Sequence, residues 1–254
     1  NLQSAQGRAA MKAFYDLHLH SCLSPCGDRD MTPNNIAGMA KLCGLQIIAL
    51  TDHNTCKNCR ALMDACRQYG ICAVPGMELC TAEEIHVVCL FPTLQSALSF
   101  DEAVYPHLMD IKNRPDIYGQ QLMLDENDEP AGVEDKLLIT AADIPLYGLS
   151  HFVGSFGGTC FPAHIDRDSY SVLSVLGEIP PEERFTAVEI TAGGDIGALK
   201  KQHPALSEMI LLKDATRIIS KTCRRHPPFS SCLSFPRSAS CRRSGIRRPN
   251  GFGK

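Results

Sequence analysis

"YDLHLHSCLSPCGD", residues 15–28, sets two histidines at alternate positions of an apolar run, then a loop of Ser, Pro, Cys and Gly that ends in an aspartate. Side chains at i and i+2 of a strand share a face, so His18 and His20 would stand side by side while Leu17 and Leu19 face the helical layer. Two imidazoles on one face can grip one ion, or they can be a half-exposed polar pair. Taken alone, the stretch favours the second reading. The remainder of the chain reverses it.

Outward from this strand (13–19), β-rich runs alternate with helical patterns. Thr32-Pro33 is an N-cap with proline at the first helical position, and "NNIAGMAKLCG" follows with Gly44 as its stop. "LQIIALT" (45–51) reads as a strand and "CRALMDACRQYG" (59–70) as a helix closed by glycine. "ICAVPGMEL" (71–79), with a tight turn at Pro75-Gly76, and "EIHVVCLF" (84–91) continue the series. A helical stretch over about 95–110 leads to residues 119–139, which read as a β-hairpin around an acidic turn. "GGTCFPAHID" (157–166), "FTAVEIT" (185–191) and "TRIIS" (216–220) supply three more strands. Such alternation implies an α/β fold with a parallel sheet, and about seven such units point to a distorted seven-stranded β/α barrel of the TIM kind. The hairpin would be an insertion in it, and an irregular C-terminal tail would follow.

With 254 residues, 44% apolar and 21% charged, the chain has the material for one sizeable core. It has no apolar run of membrane-spanning length and no signal-peptide pattern. The 13 cysteines are odd in number, and Cys43, Cys66, Cys72, Cys80, Cys89 and Cys160 lie in apolar stretches where a thiol acts as a small hydrophobe. A reducing, cytoplasmic setting is expected. "CKNC" at 56–59 lacks the second CxxC of a four-thiolate zinc site and reads as unpaired thiols at a helix start. Residues 1–10 are polar and patternless, and read as a cloning remnant or upstream translation. The folded domain is expected over 11–221, followed by a basic irregular tail at 222–254.

The net charge of −3 conceals an asymmetry. Residues 215–254 hold ten Lys or Arg and no acid, which leaves 15 basic and 28 acidic residues before them, a net of −13. An acidic body argues against a general nucleic-acid surface.

Polar residues gather where the strands end. The first strand ends in His18 and His20, the second in Asp52-His53, the third at Glu78; His86 stands at the start of the fourth, and His164 ends the fifth. Functional groups collect at the carboxyl ends of barrel strands, and mixed imidazole and carboxylate donors suit Zn, Mn or Fe. Glu78 could bridge two ions, and Asp16 could orient an imidazole from behind. Thr51-Asp52-His53 alone could equally be a helix N-cap. The set, rather than any member, carries the metal reading.

The set resembles the PHP (polymerase and histidinol phosphatase) family, metal-dependent phosphoesterases on a seven-stranded β/α barrel. The matching pieces are "DLHLHS" (16–21), "TDHN" (51–54), "PGMEL" (75–79), "EIHVV" (84–88) and "PAHIDR" (162–167), in family order over about 15–220. The resemblance implies that His18 and His20 hold one metal, that Glu78 bridges to a second completed by His86 and His164, and that His53 holds a third. The acid for that third ion would be Asp28, with Asp30 the alternative, and Asp52 and Asp16 would support ligands from behind. Arg167 is placed to hold phosphate oxygens. Two or three divalent ions would supply hydroxide for hydrolysis of a small phosphomonoester or nucleotide. A nuclease is the alternative, as is a metal-binding but inactive protein.

The inactive alternative arises because the family closes its barrel with an Asp-x-His motif, and residues 221–254 contain none. Their crowding of Arg, Ser, Pro and Cys without apolar periodicity resembles translation in a shifted frame beginning near residue 221.

Overall fold

The computed structural model describes residues 13–213. The expected strand at 216–220, the tail at 222–254 and the N-terminal segment 1–10 lie outside those residues.

The elements of the first half fall where local signals put them. Strand β1 is Tyr15–Leu19 and helix α1 is Pro33–Leu42, with Thr32 Oγ1 accepting from the Asn35 amide as its N-cap. Strand β2 (Ile47–Leu50) leads to α2 (Cys59–Tyr69), which ends at Gly70 in the left-handed conformation, φ 68°. That turn is sterically open only to glycine at low cost, which is why the periodic pattern stops there. Cys56 and Cys59 carry free, buried thiols that both donate to the Gly76 carbonyl, so they serve as helix-start packing. Asp52 and Asn54 do not cap α2; Asn58 stands at its N-cap.

Strand β3 (Cys72–Cys80) passes without a break through Pro75 and Gly76, where the sequence suggested a turn. The dipeptide marks a change of partner. Cys72–Pro75 pair in parallel with β2, and Gly76–Cys80 pair antiparallel with β4 (His86–Leu90). A Cβ on Gly76 would lie 2.6 Å from the Cys89 carbonyl oxygen, so the close approach of β4 requires glycine there.

The expectation of a parallel sheet fails at β4. Only Thr81–Ile85 separate β3 from β4, whereas a parallel crossover takes about a dozen residues or more, so the chain must double back. Beyond β4 come α3 (Leu94–Val104), α4 (Pro115–Tyr118), a hairpin of β5 (Leu122–Leu124) and β6 (Pro130–Val133), and α5 (Leu149–Ser155). Strand β7 (Thr159–Pro162) then pairs antiparallel with β4, which gives a five-stranded sheet in the order β1-β2-β3-β4-β7. After α6 (Val172–Leu176), β8 (Ala187–Ile190) forms a separate parallel pair with β9 (Ile210–Lys213) across α7 (Ile196–Gln202). The described residues thus form a mixed α/β fold around a curled sheet of five strands, and not a closed seven-stranded parallel barrel.

Two cores flank this sheet. The larger joins Leu19, Ile48, Leu50, Leu79, Val87 and Cys89 to the buried faces of α1 and α2. The smaller joins Tyr15, Val88, Phe161, Ala163 and Leu212, with Leu17 packed against it. Leu17 and Leu19 therefore enter different cores, because the pairing of β1 with β2 shifts register between Asp16 and Leu19 and breaks the period-2 alternation. The hairpin insertion is tied down by its acidic turn: the Asp128 carboxylate accepts from Thr32 Oγ1 and from the Asn34 amide. It supplies at the start of α1 a negative charge that the helix's own first turn lacks.

Candidate metal centre

The sheet brings the carboxyl ends of β1, β2, β3 and β7 to one edge, and the reversed β4 places its first residue, His86, at the same edge. There, Glu78 is surrounded by imidazoles. Its Oε1 lies 3.1 Å from His18 Nε2, 3.0 Å from His86 Nδ1 and 3.1 Å from His164 Nε2. Its Oε2 lies 3.1 Å from His20 Nε2 and 3.1 Å from His53 Nδ1. The five histidines read from strand-end placement converge on the Glu78 carboxylate, which is 1% exposed.

Two partners hold the rings in place. His18 Nδ1 lies 2.8 Å from Glu189 Oε2, and His20 Nδ1 lies 3.0 Å from Ser24 Oγ. Ser24 Oγ in turn donates to Asp52 Oδ1 (2.7 Å) and accepts from the His53 amide. With each Nδ1–H donated outward, the Nε2 lone pairs of His18 and His20 point at the Glu78 oxygens and, 3.2 Å apart, at each other. Facing lone pairs repel unless something positive lies between them, a proton or a cation. Three further buried ring nitrogens, His53 Nδ1, His86 Nε2 and His164 Nδ1, make no hydrogen bond. Such a donor set fits divalent cations of the zinc, manganese or iron class.

The electrostatics agree with a site built for positive charge. Burial alone would raise the Glu78 pKa, but His18, His53, His86 and a hydrogen bond from His164 hold it well below the usual carboxylate range. Burial opposes protonation of His18, yet Glu189 and Glu78 outweigh it and raise its pKa well above the ordinary value. His20 is raised to about 10, its burial being outweighed by Cys26 and Glu78. His53 and His164 are lowered, chiefly by burial, and so remain neutral donors. Burial pushes Asp52 up despite His20 and the hydrogen bonds from Ser24 and Ser21.

The outer residues are placed differently from expectation. Asp16 accepts from the His18 backbone amide (3.2 Å), while the His18 ring turns to Glu189. Asp52 acts through Ser24 and Ser21 rather than directly on a ring. Asp28 is exposed, its Oδ1 accepting from the Asp30 amide, and neither acid joins the metal-capable groups of the described residues. Those groups are His18-His20-Glu78, His53-Glu78-His86 and His20-Cys26-His53. Arg167 is exposed, and its amide donates to the His164 carbonyl at 2.9 Å.

Sequence reading missed Glu189 and Cys26. A signal for Glu189 existed: it is the single acid in the apolar run "AVEI", both of whose faces are covered. Glu189 Oε2 also accepts from the His164 amide (3.1 Å) and supports that residue in its left-handed conformation, φ 29°. Glu189→Gln is expected to weaken metal affinity by about 10–100-fold, as loss of a carboxylate behind a ligating histidine does. Calorimetric zinc titration of the two proteins measures it, and equal affinities would remove Glu189 from the site.

Comparison with known proteins places this geometry. A family profile described as the PHP domain matches residues 16–157, more than half of the chain. An uncharacterized protein of Methanocaldococcus jannaschii is 33% identical over 103 residues, covering 37% of this chain and 59% of that protein. Among solved structures, one of a Bifidobacterium adolescentis protein described as a metal-dependent phosphoesterase matches with a TM-score of 0.56 at 14% identity. The match covers 85% of this chain and 91% of that one. The lesion-specific endonuclease EndoQ of Pyrococcus furiosus matches with a TM-score of 0.55 at 16% identity, over 80% of this chain and 48% of the endonuclease. The chain thus spans only about half of the endonuclease and three fifths of the M. jannaschii protein, and these distant structures share its fold. With its metal-capable strand ends inside or just beyond the matched region, the chain belongs to the PHP domain family, a family of metal-dependent hydrolases.

Proposed function

We propose that this chain hydrolyses phosphate esters, with small phosphomonoesters or nucleotides as substrates and two or three zinc, manganese or iron ions as cofactors. The observation that carries the reading is Glu78 encircled by five imidazoles at one sheet edge. Divalent ions held there by the five histidines and Glu78 would activate water as a nucleophile and offset the charge that develops on a phosphoryl group.

The protein's own part is positioning. Glu189 and Ser24 fix the rings of His18 and His20, and Asp52 fixes Ser24, so the donors need not reorganise when charge arrives. The guanidinium of Arg167, three residues beyond His164, is exposed and pairs with no described carboxylate, which leaves it able to take two phosphate oxygens. The net charge of −13 before residue 215 disfavours a long polyanion relative to a small ester. We take residues 11–221 as the domain that performs this reaction.

The test is turnover of nucleotides, sugar phosphates and an oligonucleotide by the full chain with manganese or zinc added. Small esters are expected to be hydrolysed, and His18→Ala is expected to slow them by about 10²-fold or more, since it removes a donor from the centre. An unchanged rate in that variant would sink the mechanism. Preferential cleavage of the oligonucleotide would favour a nuclease, and metal uptake without any turnover would favour an inactive binding protein.

A further inference from the structure

We propose that Cys26 supplies a sulfur ligand to a cation position that it shares with His53, next to His20, and that this position selects zinc over manganese. The proposal rests on reading the strand-end cluster as a metal centre, and it concerns one position within it. Cys26 Sγ, a ring nitrogen of His20 and a ring nitrogen of His53 all lie within 4.8 Å of one another. A cysteine alone would not suffice. His53, however, is 4% exposed, and its Nδ1, 3.1 Å from Glu78 Oε2, makes no hydrogen bond, so a buried ring with an unbonded nitrogen stands beside the thiol.

The loop is built to bring the sulfur there. The Ser24 amide donates to the Ser21 carbonyl, and the Gly27 amide to the Ser24 carbonyl, so two successive turns fold Cys26 back over the end of β1. A Cβ at position 27 would lie 2.0 Å from the Ser21 carbonyl oxygen, so only glycine permits the fold-back. The same closure leaves Asp28, one residue further on, exposed and bonded to the Asp30 amide. The residue facing His53 from this loop is thus a thiol rather than a carboxylate.

The difference sets metal preference. Thiolate with imidazole favours zinc, while manganese prefers carboxylate and water oxygens. Around Glu78 the donors are nitrogen and oxygen, which both ions accept. The two parts of the cluster should therefore fill differently with the two metals.

The test uses the full chain, stripped of metal and titrated with cobalt(II), zinc or manganese. Wild-type protein should show sulfur-to-cobalt charge-transfer absorption in the near ultraviolet. Cys26→Ser should lose that band while keeping the visible ligand-field bands of cobalt on nitrogen and oxygen. It should also bind about one zinc fewer per chain, with manganese stoichiometry unchanged. Cys26→Asp should regain the lost position without the sulfur band, and should take up manganese there. A charge-transfer band or full zinc content that survives in Cys26→Ser overturns the proposal and leaves the Glu78 cluster standing. Absence of every cobalt band from the wild type overturns both. Cys26 is exposed, and the melting temperature of each metal-free variant, measured alongside, shows that the comparison is between folded chains.

Discussion

Glu78→Gln is expected to lose hydrolysis by about 10³-fold or more and to bind at least one metal ion fewer, since it removes the one carboxylate in reach of all five imidazoles. The amide is close in shape but brings no charge, and its NH₂ nitrogen has no lone pair to offer a metal ion. Metal-free protein should suffer too. Removing one side of a buried charge pair costs about 3–5 kcal/mol, because the remaining charge stays desolvated without its partner. The pH dependence identifies the cause. Glu78 has a lowered folded pKa, so its contribution is present above the ordinary carboxylate value of 4.5 and disappears as pH falls through the folded value. Denaturation curves of chelated wild type and variant should therefore diverge at pH 6 and converge in strong acid. Hydrolysis at the wild-type rate by Glu78→Gln would remove the carboxylate from the chemistry altogether.

Chelation should lower the melting temperature, and the loss should widen as pH rises from about 6.5 to 9. The sign follows from two opposed proton effects. In metal-free protein, His18 and His20 have raised pKa values, so their stabilisation is complete below the ordinary imidazole value of 6.5. It drains away as pH climbs toward the folded values, about 10 for His20. His53 and His164 are shifted down, so their effect on the slope ends near 6.5 and does not oppose this loss. Metal-loaded protein behaves the other way, because binding displaces protons and tightens as they become scarce. At a free metal concentration about a hundredfold above Kd, binding adds about 2.7 kcal/mol, or roughly 5–11 °C for a domain of this size. Paired melting curves with and without chelator at pH 6.5 and 9 measure the difference. A constant or shrinking gap would mean that protons and metal do not compete for these rings.

Much of the first half of the fold is legible because its signals are local. Thr32-Pro33 opens α1, and Gly70 closes α2, through backbone geometry set within four residues. The direction of β4 was legible as well, in the short Thr81–Ile85 connection, but strand–helix alternation obscured it. Strand β9 was missed because "ILLK" is too short to separate from its surroundings by pattern, and it is ordered by pairing with β8.

The sequence by itself determined which donors this protein carries and which strand ends carry them: His18, His20, His53, Glu78, His86 and His164, at spacings that survive any uncertainty in topology. Only the tertiary structure decided how they meet. The His18 ring finds Glu189 171 residues away, and Cys26 rather than Asp28 comes to face His53 because Gly27 lets the loop close on Ser21. Period and capping act over a few residues and can be read along the chain. Convergence on one carboxylate depends on sheet order, strand direction and loop closure, which packing over the whole domain sets.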